Sequence, residues 1–514
     1  MRWKPSAGRD REKAVADGLR RSSRFYVFLW SIREELFDGP FQDELIAAYE
    51  PRGQEPCPPA LLAMVMLLQR YTGLSDAAAV DQAENDQRWQ LVLGTLGKKR
   101  APFGQGSLVR FRARAIAHDL DKKLLDRTVE LARKTKSFGW KRLRVMLDSS
   151  PLEGAGQILD TWNLIGRAMS KVVGAVAKAS GVAESSVIDG ARLTVLGAAS
   201  VKAALDIDWG DADERHDALQ LLTAEASRLE AWVVKRLQEK AEQPPVSDAL
   251  TLLRRVVDQD LEPDPEGGGL RIKEGTAHDR IISVGDPEMR HGRKSRSKTI
   301  NGFKRHIVMA NRIILGAAVE PANRQEDAPM GRLLSDVRRH GKLRSAHFDR
   351  GYLRAPEVVE LWRSGVELHS RAYRPTNLGF FTKDDFKLCL DNGAVVCPAG
   401  KIALIPPKSL QARFDERDCK TCPLKTQCTP SATRTIRVHE DEAMLEYFKA
   451  TQQTRKGRLA YRERTAVEHR LGRIEAIQGG KARYKGARKN ELDVRRTAAV
   501  ANLQEVDRWR RLAA

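Results

Sequence analysis

The sequence predicts a multidomain α/β protein: a mixed-sheet core that carries a large helical insertion and is preceded by an all-α N-terminal region. Three observations predict it. At 514 residues the chain exceeds one ordinary compact domain. Helical periodicity fills residues 1–136 and returns over 161–270, while short apolar runs ending on turn-forming residues lie on either side of that second stretch. With 41% hydrophobic residues, the chain can bury real cores.

Taken in order, residues 1–136 open with an amphipathic helix over Phe25 to Leu36. Pro58 and Pro59 open a second helix running to Tyr71. Thr72-Gly73-Leu74 predicts a turn, and Ser75 an N-cap for a helix through Glu84. Helix, glycine turn, helix is the outline of a helix-turn-helix, which ordinary helical bundles share. Ser107 to Lys136 predicts one cationic helix, in which Arg110, Arg112 and Arg114 alternate with apolar residues, so some must face the core or a partner. Within 137–160, LRVMLDSSPLE predicts a strand that ends at Asp148.

Residues 161–270 predict a helical insertion that includes the periodic stretch Ala218 to Leu237. Between Asp211 and Glu266 it holds fourteen acids against seven bases, which predicts a solvated acidic face away from any polyanion. Over 271–381, strands are expected at Arg280–Val284, Gly302–Met309, Ile313–Val319 and Leu343–Phe348, and a helix at Pro356–Trp362. The basic run RHGRKSRSK joins the first two strands. Residues 382–438 are irregular and cysteine-bearing. Residues 439–514 predict a long helix from Glu440 to Ile477 and a basic tail, with seventeen Lys/Arg against seven Asp/Glu over 451–514.

Charge bounds the partners. Lys+Arg of 89 against Asp+Glu of 68 leaves +21, which favours a polyanion, nucleic acid first. A membrane is disfavoured, because the longest apolar run, Ala60 to Leu68, is about half of the roughly 20 residues a span needs. The start MRWKPSAGRDREK has no apolar stretch after its charges, so no secretory signal is expected. A cytoplasmic, reducing setting follows, in which six cysteines are metal ligands or thiols rather than disulfides.

Work on a phosphodiester without a covalent intermediate needs a water or hydroxyl activated in line with the leaving oxygen. Two divalent cations about 3.5–4 Å apart do this, and Mg²⁺ wants carboxylate oxygens. About three acids from distant segments must then converge. Asp148, after Leu143–Leu147, and Asp349, after Ser345–Phe348, both follow apolar runs, where a carboxylate is costly unless paired or metal-bound.

Several ordered segments make the chain similar to insertion-sequence transposases with an RNase H-like DDE catalytic domain. LDSSPLEGAGQILDT around Asp148 resembles the first catalytic segment, and IISVGDPEMRHGRKSRSKTINGFKRHI the approach to the second strand with its Gly-Phe-Lys motif. VEPANRQEDAP resembles the third strand and its turn, AHFDRGY the second catalytic segment, and YRERTAVEHRLGRIE the C-terminal signature. The resemblance implies catalytic acids at Asp148, Asp349 and Glu468 holding Mg²⁺ or Mn²⁺. It implies double-stranded DNA as partner, both the terminal inverted repeats and the target, held in part by Lys304, Tyr461 and Arg464. It further implies a homodimer when bound to DNA, and a prokaryotic, nucleoid-associated location. The family's signature places a Lys seven residues after the Glu, two helical turns on. Here that position is Glu475, so either Arg473 or Lys481 serves instead or DNA positioning is weakened.

Cys397-Pro-Ala-Gly-Lys, Cys419-Lys-Thr-Cys422 and Cys428 lie between Asp349 and Glu468. Four thiolates suit tetrahedral Zn²⁺, which would tie down a segment too irregular to bury a core. Cys389 competes as fourth ligand, and Cys57 is expected to be merely buried. The family resemblance supports such an insertion. Two alternatives stand beside an active transposase: a non-catalytic DNA-binding protein derived from one, and an RNase H-like nuclease without strand transfer.

Overall fold

The computed structural model describes all residues except 6–8, 51–55, 136–137, 139–141, 294–296 and 514. The expected boundary at 136/137 and part of the basic run RHGRKSRSK lie outside the described residues.

Among the described residues, β1 (Leu143–Glu153), β2 (Arg290–Arg293), β3 (Thr299–Ala310), β4 (Ile313–Pro321), β5 (Leu343–His347) and β6 (Glu367–His369) form one sheet. Its order is β2-β3-β1-β5-β6, with β4 also paired to β3. The β1–β3, β2–β3 and β3–β4 pairs are antiparallel, whereas β1–β5 and β5–β6 are parallel. Such a mixed α/β sheet is the core of an RNase H-like fold. β4 reads as a near-continuous apolar run because helices cover it.

Around the sheet lie α1 (Met330–His340), α2 (Pro356–Arg363), α3 (Glu442–Gln453), α4 (Arg455–Arg462), α5 (Thr465–Gln478) and α6 (Ala487–Ala513). α6 packs on β4 and closes its outer edge. Asn502 accepts from Ile314 N at 2.8 Å and donates back to Ile314 O at 2.8 Å, and Glu491 accepts from Val319 N at 3.1 Å. Side chains thus satisfy an edge that would otherwise invite another strand.

The N-terminal helices are not a separate body. One apolar cluster runs from Trp3 through them into the sheet and α6. The helix Pro59–Thr72 is almost wholly buried, ends at left-handed Gly73, and leads through Ser75, whose Oγ accepts from Ala78 N, into the helix Asp76–Asn85. Its Arg70 pairs with Asp493 of α6 at 3.3 Å and donates to Ile477 O. The insertion, built on helices Thr161–Ser180, Ala212–Leu237 and Val246–Asp260, buries its own cluster.

Five expectations need correction. β1 does not end at Asp148: pairing with β3 carries it on to Glu153, opposite Gly302. Gly302 permits this closeness, since a Cβ there would sit 2.3 Å from Gly154 N. Arg280–Val284 is not a strand: Gln259 donates to Ile281 O and accepts from Ile281 N in place of a neighbouring strand. Ser107–Lys136 is broken into helices Gln105–Ala117 and Leu120–Arg133 at left-handed Asp119. Glu440–Ile477 is three helices, α3 to α5, rather than one; Thr454 caps α4 by accepting from Gly457 N. Finally, residues 382–438 do bury a core: short strands Lys387–Cys389, Ala394–Val396 and Ile402–Leu404 pair together, Gln411–Arg413 pairs with Thr435–Arg437, and Phe386, Val395, Phe414 and Ile436 pack between them.

Candidate active site

The parallel pairing of β1 with β5 sets the site. Met146 lies opposite His347, so Asp148 and Asp349 each fall two residues further along adjacent strands. The two backbones part there. β1 continues with β3, while β5 ends and Asp349 turns the chain into Arg350–Arg354, its Oδ1 accepting from Arg350 N at 2.8 Å. Glu468 comes from the first turn of α5, which packs against β1. All three acids line one cavity of about 490 Å³, together with Lys304 and Arg464.

Arg464 lies among these acids. Its Nη2 donates to Glu468 Oε1 at 2.7 Å, one turn away on the same helix. Its Nη1 lies 3.0 Å from Asp148 Oδ2, an ion pair without the angle of a hydrogen bond. Burial pushes the Asp148 carboxyl up to about 6, Arg464 and the Ser149 N–H oppose that, and the charges of Asp349 and Glu468 add to it. Three carboxylates thus face one cavity with a guanidinium between two of them, an arrangement that asks for positive charge.

Two further residues belong to this site: the first carried no expectation, and the second was expected only as one of the basic residues on a surface around the acids. Glu326 lines the cavity and accepts from Ser149 Oγ at 3.2 Å. Its other oxygen would lie 2.3 Å from a Cβ on residue 351, so Gly351 leaves room for Glu326 to hold this position. The only signal was an acid in the quoted segment VEPANRQEDAP. The second is Arg305, fully buried on β3, which donates to Ser150 Oγ at 2.7 Å and to Gln478 Oε1 at 2.8 Å. Its Nη2 lies 3.4 Å from Glu475 Oε2. Glu475 therefore answers a cation from the neighbouring strand, which accounts for an acid at that position.

The remaining basic residues are dispersed. Lys304 lines the acid cavity; burial lowers its ammonium and the charge of Glu326 opposes that. Tyr461 lines an adjoining cavity, with the Arg371 guanidinium 4.5 Å and that of Arg464 5.5 Å from its ring centre. Arg473 donates to Gln504 Oε1 of α6. Lys481 sits in a bridge with Glu153. Neither of these two lines the acid cavity.

The donor set at Asp148, Asp349 and Glu468 suits a hard divalent ion by its oxygen chemistry and unbalanced negative charge. Among the described residues, however, no group of three or more His, Cys, Asp or Glu side chains is arranged to hold a metal ion. At the acids, Arg464 engages two of the three. Among the described residues Cys397, Cys419, Cys422 and Cys428 form no such group either, though they lie close enough to act on one another. Burial raises the Cys428 thiol, and Cys419, Cys397 and Cys422 add to the rise. Cys397 Sγ accepts from Lys401 N at 3.3 Å. Cys57 is partly buried, and burial pushes its thiol up to about 12. Among the described residues no helix is long and apolar enough to cross a membrane.

Comparison with protein families places a Transposase DDE domain at residues 396–506 and a transposase domain designated DUF772 at residues 23–114. The first spans Glu468 and the cysteines from Cys397 onward; the second spans most of the N-terminal helices. Comparison with curated proteins and with solved structures returned no match.

Proposed function

We propose, from the premise that the chain is an insertion-sequence DDE transposase, that it binds the terminal inverted repeats of its own element, nicks them, and joins the freed 3′ hydroxyls to target DNA. One observation carries this reading: Asp148, Asp349 and Glu468, drawn from three distant segments, line a single cavity. These carboxylates would hold Mg²⁺ or Mn²⁺, which when bound supplies an activated oxygen nucleophile and neutralises charge on the leaving oxygen.

The chain's own groups do the rest. Asp148, with a carboxyl near 6, is ionised at neutral pH and available as a ligand. Arg464 holds Asp148 and Glu468 side by side, and once released it is placed to meet a phosphate. Lys304 and Arg293, on the same cavity, meet the phosphates beside the cut. Tyr461, Arg473 and Lys481 extend the holding surface. The N-terminal helices bind the element's ends, and a homodimer forms on DNA, one copy for each end. Cys397, Cys419, Cys422 and Cys428 hold a structural Zn²⁺. The guanidinium lodged between two acids favours one other reading, a non-catalytic DNA-binding descendant of a transposase.

The test is a gel assay on DNA that flanks the coding region, with Mg²⁺. Cleavage at inverted repeats is expected from the native chain and none from Asp349→Ala, which should still bind DNA with a steep salt dependence. Removing that carboxylate takes away a metal ligand and one negative charge, neither of which attracts phosphate. Loss of binding and cleavage together in a folded Asp349→Ala variant would contradict the division between a carboxylate centre and a basic holding surface. Binding without cleavage in the native chain would select the non-catalytic reading.

A further inference from the structure

Beside the acid cavity lies a larger one of about 1080 Å³, and the two meet at Asp349 and Arg464. Its walls are the end of β6 and the chain that follows it, from Leu368 to Arg374, together with α3 and α4. Six arginines line it against one carboxylate, Asp349. Of these, Arg464 is paired with the acids; the other five, Arg371 and Arg374 among them, have no carboxylate partner among the described residues. So many uncompensated cations around one concavity repel one another unless an anion enters.

A second observation points the same way. Ser370, 7% exposed, lines this cavity with an Oγ that has no hydrogen-bond partner; His369 beside it lies with Nε2 3.3 Å from Glu367 Oε1. A buried hydroxyl without a partner is costly, and here it lies in a cavity lined by guanidinium groups. An unpartnered hydroxyl among several guanidinium groups suits a phosphodiester.

We infer that this cavity binds one strand of DNA, unpaired, continuing past the cut on the Asp349 side. The inference rests on the transposase reading and adds a second binding site to it. A duplex is too stiff and wide to bring a phosphate down to Ser370, whereas a single strand can turn into the cavity. Arg371 and Arg374, both exposed, meet successive phosphates, and Ser370 donates to one of them. Arg371 also lies over the Tyr461 ring, which orients its guanidinium without neutralising it.

Binding of the full chain to a labelled oligothymidylate strand, to a blunt duplex of unrelated sequence and to inorganic phosphate tests this, each over a range of salt. The double variant Arg371→Ala/Arg374→Ala should weaken oligothymidylate binding about tenfold or more. It should also flatten the slope of log affinity against log salt by about 1.4, at about 0.7 per single-strand phosphate. Ser370→Ala should weaken it several-fold with no change in slope, because a hydrogen bond and not a charge is lost. Blunt-duplex binding should stay within about twofold in both. Equal losses on strand and duplex would overturn the inference, assigning the arginines to a general holding surface. So would a strand affinity that ignores all three substitutions, or saturation by inorganic phosphate with no competition from the strand. Asp349→Ala should keep strand binding. If the native chain fails to cut element ends while these strand results hold, the catalytic reading fails and the binding site stands.

Discussion

At the scale of single residues, the site depends on close approaches that one atom can block. Gly351 leaves room for Glu326, which in turn accepts from Ser149, the neighbour of Asp148. In Gly351→Ala, the flexible end of Glu326 must swing away and surrender that hydrogen bond, at about 1 kcal/mol. Stability should therefore change little, while cleavage of element ends falls about tenfold. Glu326→Gln should give a similar loss, and the double variant little more than either, because both act through one contact. Additive losses in single-turnover assays would separate the two residues. The same scale explains what was legible. Asp148, Asp349 and Glu468 stood out because each sits in a recognisable run; Glu326 and Arg305 did not, because their importance lies in what they touch across the fold.

Among the elements, the cysteine segment is the least expected. Its strands form, and its apolar residues bury a small core, even though its sequence has little periodicity. Short strands of three residues cannot display alternation long enough to be recognised. The proposed zinc makes a definite claim here. Metal analysis of purified protein should find about one zinc per chain, and Cys419→Ser/Cys422→Ser should lose it along with several degrees of thermal stability. A chain free of zinc yet equally stable would leave the four thiols as packing groups. The helices α3 to α5 teach the converse lesson. Their helical pattern was readable throughout, but the break at Thr454 depends on a side chain capping Gly457 N, a local contest that periodicity does not resolve.

Across the whole molecule, the N-terminal helices, the sheet and α6 share one apolar cluster, so they should lose structure together rather than in steps. Two buried histidines of the sheet make that loss depend on pH. Burial first, then Lys304 and Arg332, holds His306 down to about 3; burial, then His369, holds His347 down to about 4. Both are neutral in the folded chain and have an ordinary value of about 6.5 when unfolded. The unfolded state thus binds more protons between those limits. Stability is complete above about 6.5 and falls as pH drops, by up to about 1.4 kcal/mol per pH unit for each ring. The urea midpoint should decline from pH 7 to pH 5, and His306→Gln should flatten the decline; a midpoint constant over that range would refute it. By itself the sequence determined most helix and strand types, the excess of basic charge, and the runs that hold Asp148, Asp349 and Glu468, because periodicity, composition and short motifs are local properties of a chain. Only the tertiary structure decided that β1 runs on past Asp148, that Arg464 lodges between two of the acids and Arg305 answers Glu475, and that arginines from the chain after β6 and from α4 surround one cavity. Each of these is set by backbone pairing and charge contact between residues far apart in sequence, which no local pattern encodes.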